Sequence, residues 1–306
     1  MYRMTSLGAA LSAFFALLLF PEAARSGAAA GLEMCARLII PSLFPFFVAS
    51  MLLSELGFAE LGGRLFGNGR LSTAFLVGIS GGYPLGAAYA AQLYKRGGIS
   101  RVDAEKMLVC CNNSGPAFIL GAVGSGVFHS VCAGLFLYAV HILAALIAAV
   151  ILSPSCGGSS AVSGAPGFSE AFTRSVSRSV TACLSVCGFI VAFSVLVGII
   201  DSSGAISLAA GRLSALFGLE PHFCRALLLG VLELGNAVSA MNGLAVSPAN
   251  LALAALILGW GGISVHFQTF SVISDTELKA ARYIIGRLLT SILACIMAYF
   301  GAYVVF

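Results

Sequence analysis

Four long apolar stretches of this chain are each interrupted by residues that do not suit a helix in lipid. Gly81-Gly82-Tyr83-Pro84 and Asn112-Asn113-Ser114-Gly115-Pro116 break two stretches in the first half. Glu233-Leu234-Gly235-Asn236 and Gly259-Trp260-Gly261-Gly262 break two in the second. Backbone released from helical bonding at membrane depth is stable only where protein buries it or where it borders a wet cavity. Paired interruptions at corresponding places in two halves are the sequence pattern of a transporter binding site. The expected fold is therefore all-α and polytopic. It has two structurally repeated halves whose broken or re-entrant helices meet near the bilayer midplane.

The composition agrees with a lipid environment. Of 306 residues 59% are hydrophobic and 9% charged, against about 25% charged in a soluble domain. The net charge is +4, and no basic run forms a nucleic-acid patch. The nine cysteines do not make a disulfide framework, because Cys110, Cys111, Cys183, Cys187 and Cys295 lie in apolar spans. Cys183 and Cys187 are one helical turn apart, yet no His or carboxylate stands at ligand spacing beside them, so no metal and no cofactor is expected. Nucleophile–base pairs, phosphate loops and intramembrane-protease motifs are also missing, and an enzyme is not expected.

The chain divides into an N-terminal transmembrane helix (1–27), a first repeat (28–152), a Ser/Gly/Pro-rich flexible linker (153–168) and a second repeat (169–306). Arg3 and the apolar run after it resemble a signal peptide, but the chain re-enters the membrane at once, and a retained helix is expected. Pro41 and Pro45 should kink the span around them. A short polar hairpin is expected at Gly62, Gly63, Gly67, Asn68 and Gly69. Ser100, with Asp103 three residues on, is an N-cap box. Counting each broken segment as one crossing gives about nine spans, each of about 20 residues. The excess of Lys and Arg in 95–106 and at Arg174 and Arg178 then puts the N-terminus outside and the C-terminus inside. Arg64, Arg70, Lys279, Arg282 and Arg287 weaken that asymmetry.

Glu233 is the sharpest single candidate. A lone charge at mid-membrane costs about 2.5–3.5 kcal/mol on insertion scales and is kept for a task or a partner. Its expected task is proton or cation coupling. Asn112, Asn113, Ser114 and Gly115 open a helix just before Pro116, which can start a new one. The N–H groups released there suit a carboxylate. Tyr83 offers a ring and a hydroxyl at the other break. Trp260, His266 and Gln268 occupy the counterpart segment of the second half, and Asn236 flanks Glu233. His141 lies in an unbroken span and reads as packing. The substrate carboxylates are expected to need no buried Lys or Arg, since both are missing from the centres of the broken segments.

The runs Gly78-Ile-Ser-Gly-Gly-Tyr-Pro-Leu-Gly86, Ile99-Ser-Arg-Val-Asp-Ala-Glu105 and Asn112-Asn-Ser-Gly-Pro-Ala-Phe-Ile-Leu-Gly121 carry a family resemblance. Together with Gly230-Val-Leu-Glu-Leu-Gly235, they resemble the sporulation integral membrane proteins with paired nucleoside-recognition, or gate, domains. The resemblance implies a multi-pass membrane protein of spore-forming bacteria, located in the cell membrane or the outer forespore membrane. It implies a secondary transporter of a small polar, anionic metabolite, with dipicolinate as the first guess. A nucleoside transporter and a non-transporting membrane scaffold are the alternatives. The expected partners are a small-molecule substrate, lipid and a coupling proton or cation, with no nucleic acid.

Overall fold

The computed structural model describes residues 2–58, 69–152 and 166–306. The expected polar hairpin, apart from Gly69, and the linker up to residue 165 lie outside the described residues. Every regular element among those described is helical. In chain order they are α1 (Tyr2–Leu19), α2 (Pro21–Met34), α3 (Ile40–Glu55), α4 (Gly69–Gly81), α5 (Leu85–Lys95), α6 (Arg101–Cys111), α7 (Ala117–Val127) and α8 (Val131–Leu152). The second half holds α9 (Phe168–Ser202), α10 (Ala205–Phe217), α11 (Pro221–Leu232), α12 (Leu234–Ala240), α13 (Pro248–Trp260), α14 (Gly262–Ile273) and α15 (Ala281–Val305).

Among the described residues, five apolar helical stretches are long enough to cross a membrane: Pro21–Glu55, Val131–Leu152, Phe168–Ser202, Pro248–Ile273 and Ala281–Val305. The first helix ends at Leu19, so the boundary expected at residue 27 falls inside α2. The helical structure is continuous through Pro41 and Pro45. The turn before them, Cys35–Ile39, is wound as a π-helix and joins α2 to α3. Pro41 in the first turn of α3 and Pro45 within it each lack an N–H for the carbonyl four residues back. The wider turn is how the backbone accommodates the strain without stopping. The α2 helix packs closely on α9. A Cβ on Gly27 would lie 2.6 Å from the Ser194 carbonyl oxygen and one on Gly31 2.9 Å from Val191 Cα. Small residues allow such approach where lipid supplies no hydrophobic drive.

The breaks are of two kinds. At Gly82–Pro84 the chain turns back, and α4 and α5 pack side by side. A Cβ on Gly86 would stand 3.1 Å from the Gly78 Cα, although the two glycines are eight positions apart in sequence. Cβ atoms there would also lie 1.7 Å (Gly78) and 1.6 Å (Gly86) from the Cys111 carbonyl oxygen. The hairpin thus closes around the end of α6, and only glycine fits at both positions. The α11–α12 pair is likewise in extensive mutual contact around Glu233. At Asn112–Pro116 and at Gly261, by contrast, the chain continues onward, and α13 with α14 forms one 26-residue apolar span.

A hairpin returns to the side it came from, so the count of about nine crossings is too high. The charges agree with the lower count. Lys95 pairs with Asp275, and Glu105 accepts from Arg101 Nε at 3.0 Å and from the Lys279 N–H at 2.9 Å. Glu55 pairs with Arg178 and stands 3.9 Å from Arg174. A cleft joins Glu55 and Arg178 to Gln92, one turn before Lys95, so all these charges share one face. Lys279 therefore strengthens the asymmetry it was expected to weaken. By the positive-inside rule this face is the cytoplasmic one. Helix α15 leaves that face and runs 25 residues, about 37 Å at 1.5 Å per residue. The C-terminus is then on the opposite side from the one expected: with 95–106 held at the positive face, the α11–α12 hairpin alone lies between that loop and the C-terminus, removes one crossing and reverses the spans after it. The α4–α5 hairpin enters from the positive face. The α11–α12 hairpin enters from the other, where Arg225 holds Asp201 through two bonds of 2.8 and 2.7 Å.

Candidate ligand-binding cleft

The four breaks meet. A Cβ on Gly82 would be 2.8 Å from the Gly115 amide nitrogen, one on Gly261 3.2 Å from the Tyr83 hydroxyl, and one on Gly262 3.3 Å from the Glu233 Cα. All three glycines have positive φ, at 88°, 86° and 83°, which favours glycine on backbone grounds as well. Between the breaks lies a cleft of about 470 Å³. Tyr83, Ser114, Gly115, Glu233 and Gln268 line it, and apolar side chains of α3 and α9 close its far wall.

The hairpin tip at Glu233 is built by capping. Glu233 has extended backbone (φ −150°, ψ 127°) and opens α12 as its N-cap. Its Oε2 accepts from the Asn236 backbone N–H at 2.6 Å and from Asn236 Nδ2 at 2.8 Å. Asn236 also donates to Ser194 Oγ on α9 at 3.1 Å. Glu233 is 2% exposed and still borders the cleft. Its partners are amides of its own loop, a common solution at helix starts, and no Lys or Arg pairs with it among the described residues.

The other buried charge was missed by sequence reasoning. Arg287, on the unbroken helix α15, is 0% exposed. Its Nη1 donates at 3.0 Å to the Asn112 carbonyl and at 3.0 Å to Asn113 Oδ1. Its Nη2 donates to the Leu258 carbonyl at 3.4 Å and to that of Gly259. These carbonyls are at the C-terminal ends of α6 and α13, the two helices broken in mid-crossing. Helix ends carry unpaired carbonyls and partial negative charge, and one planar guanidinium meets both. The expectation was of a substrate site without a buried Lys or Arg; the structure places one buried Arg behind the Tyr83 ring. The broken segments lack Lys and Arg because a neighbouring helix supplies the cation. Its signal was present in the sequence: an Arg six residues into an apolar run flanked by Gly286, Thr290 and Ser291.

The remaining candidates separate by position. Asn112 and Asn113 are fully buried away from the cleft. Asn112 donates to Thr269 Oγ1 at 2.7 Å, and Asn113 donates to the Cys110 carbonyl and accepts from Arg287. Ser114 lines the cleft, donates to the Leu258 carbonyl at 3.3 Å, and gives its backbone N–H to His141 Nε2 at 3.2 Å. His141 thus supports the break itself rather than packing only. His266 is buried against Tyr283, with Nδ1 3.0 Å from the hydroxyl. Trp260 donates to the Val231 carbonyl at 3.2 Å and stacks edge-on against His266. Neither lines the cleft. Tyr83 does, and the Arg287 guanidinium carbon lies 5.3 Å from its ring centroid. Among the described residues no group of three His, Cys, Asp or Glu could hold a metal ion.

No protein-family model matches the chain, and no solved structure matches it. It is similar to the sporulation integral membrane protein YlbJ of Bacillus subtilis (strain 168). The two are 27% identical over 315 aligned positions, covering 90% of this chain and 77% of that protein. With the five long apolar helices, this likeness supports a multi-pass integral membrane protein.

Proposed function

We propose that the chain is a secondary transporter of a small anionic metabolite and that the central cleft is its substrate site. The likeness to YlbJ supports a membrane role in sporulation. The observation that carries the anion reading is Arg287. It is a fully buried cation with no carboxylate partner among the described residues, set behind Tyr83 and Ser114. In a low-dielectric interior a charge satisfied only by dipoles still projects a field, and an anion in the cleft gains from it. Gly115 at the start of α7 and Tyr83 before α5 turn two further helix N-termini toward the same space. Glu233 stands across from them and takes the coupling role. A ligand carboxylate beside Glu233 raises the gain from a bound proton or cation, which ties ion movement to substrate movement.

The order of elements supports a rocking mechanism. Each half has a long helix, a hairpin reaching the cleft, a crossing broken beside it and an unbroken helix. The two hairpins enter from opposite faces. We infer two repeats of inverted sense, each able to open the cleft to its own side. The ligand passes unchanged, with no chemistry done on it.

The test is binding followed by uptake. Purified protein should gain thermal stability with dipicolinate and lose that gain when both carboxylates are converted to amides. Proteoliposomes should accumulate dipicolinate under an imposed proton or sodium gradient. Stabilisation by nucleosides instead would replace the substrate class. Intact protein that answers to neither, and whose break variants only misassemble, would be a scaffold.

A further inference from the structure

Helix α2 and the turn after it carry a polar face where lipid should lie. Gly27 and Gly31 pack α2 against Ser194 and Val191 of α9, and the Cys35 thiol in the next turn donates to the Cys187 carbonyl at 3.8 Å. The opposite face is exposed and holds Ser26, Ala29, Ala30, Glu33, Ala36 and Arg37. Glu33 and Arg37 form an ion pair of 3.2 Å, and their side chains are 61% and 81% exposed.

The depth of this pair follows from α9. That helix crosses between Arg178 at the positive face and Asp201 at the other. At 1.5 Å per residue, Cys187 lies about 13 Å from the first level and about 21 Å from the second. Cys35 meets Cys187, and Glu33 and Arg37 stand on either side of Cys35 in sequence. Ile39, one turn on, lines the central cleft. The pair is therefore inside a hydrocarbon core of about 30 Å. Ionisable residues at that depth face protein or water rather than lipid. Glu233 and Arg287 satisfy this within the chain. Glu33 and Arg37 do not, since their side chains stay open among the described residues.

The composition of the face decides what can cover it. Its small residues let a second helix backbone come close, as at interfaces between helices in lipid. Its charges balance, and Glu22 and Arg25 nearer the other face add one more of each sign. A purely apolar helix would leave both charges of the pair without a new partner. An acidic residue followed one turn later by a basic one is complementary to itself. In a two-fold pair about the membrane normal, the two α2 helices run side by side in the same sense. Glu33 of one protomer then reaches Arg37 of its partner, and Arg37 reaches Glu33, the reciprocity that a two-fold interface requires.

We propose that this face of α2 is the interface of a homodimer in the membrane, in which the Glu33–Arg37 pair within each chain is exchanged for two pairs between chains. The exchange takes both charges out of lipid and keeps each of them paired. The assignment goes beyond the transport reading and holds whatever the cleft carries.

The experiment uses the full chain in liposomes with Ala29→Cys added, and the protein lacking that substitution as background for the native thiols. Copper-phenanthroline oxidation should join two chains through the added thiol. Ile292→Cys, on the exposed side of α15, should not cross-link above background. Light scattering in mild detergent should give the mass of two chains. The cross-linked fraction should fall about tenfold in Glu33→Arg, the scale of two interhelical polar contacts in lipid. Adding Arg37→Glu to that variant should restore it, because opposite charges meet again. A single-chain mass with no cross-link through Ala29→Cys overturns the dimer. Equal cross-linking through Ile292→Cys, the sign of random collision, overturns it too, as does an adduct with a different polypeptide. A single reversal without effect, or a swap that restores nothing in monodisperse protein, removes the charge exchange and with it the proposal.

Discussion

Among the described residues two charges are buried at membrane depth, and they are treated in opposite ways. Arg287 is wholly enclosed, behind Tyr83 rather than in the cleft lining, and spends its hydrogen bonds on carbonyls at two broken helices. Glu233 is nearly as buried, borders the cleft and is held by amides of its own short loop. Removing the first leaves several buried acceptors without donors, spread over both halves. Removing the second leaves one N-cap to be rebuilt by a similar side chain. A buried charge tied to distant helices is thus bound up with the fold, whereas one held by local partners can be altered without undoing it.

The hardest test of this contrast is Arg287→Leu. The carbonyls of Asn112, Leu258 and Gly259 lose a shared donor, and the expected loss is about 3–5 kcal/mol, the cost of breaking a buried charged network. Detergent-solubilised protein should run as aggregate in size-exclusion chromatography. Arg287→Lys should recover little, since one ammonium cannot fork to two helix ends. A monodisperse Arg287→Leu protein with wild-type thermal stability would erase the structural half of the comparison.

Glu233→Gln should do the reverse. Its amide oxygen can still accept the Asn236 N–H, so stability should stay within about 1 kcal/mol of wild type. Gradient-driven uptake should vanish or lose its ion dependence. Unaltered coupled uptake in folded Glu233→Gln protein would leave the carboxylate a cap and nothing more.

The Asn112–Gly115 break allows the contrast to be drawn between neighbours. Asn113 is tied to Arg287 at 3.0 Å and to Cys110, whereas Ser114 faces the cleft. Asn113→Ala should cost about 1–3 kcal/mol for the unsatisfied polar groups it leaves. Ser114→Ala should barely move the melting temperature but should weaken the stabilisation given by a carboxylated ligand more than that by a neutral one. If both substitutions lower stability equally and leave ligand response alone, the break is a fold element throughout.

Much of this arrangement was legible in the sequence, for physical reasons. Glycines, an Asn pair and a lone Glu inside apolar runs can mean little except opened helices, and all four openings are where those residues put them. Whether an opening turns back or continues was not legible. Gly82 and Gly261 both have positive φ, near 88° and 86°, yet one heads a hairpin and the other a through-going span. The difference lies in what each opening packs against: Gly78 and Gly86 clasp the Cys111 carbonyl from another helix. Arg287 escaped for a related reason. Its own helix is regular, so periodicity marked nothing, and its role appears only when Asn112 and Gly259 are brought to it.

The smallest expected effect lies at the positive face, where Lys95 and Asp275 join the loops of the two halves. The Lys95 ammonium, hydrogen-bonded to Asp275, holds that carboxyl below its usual range. A carboxyl depressed in the folded state contributes stability above its unfolded pKa, and the contribution fades as pH falls through the folded one. Here that contribution is screened, because the group is solvent-exposed and salt competes for it. Asp275→Asn should therefore leave the melting temperature unchanged at neutral pH and physiological salt, and remove no acid-induced loss that wild type shows. Arg287 and Lys95 each reach across the halves to a partner about 175–180 positions away. If the exposed pair proved as costly to break as the buried one, sequence-distant partners alone would decide the outcome. If it does not, burial is what turns a long-range charge contact into a structural one.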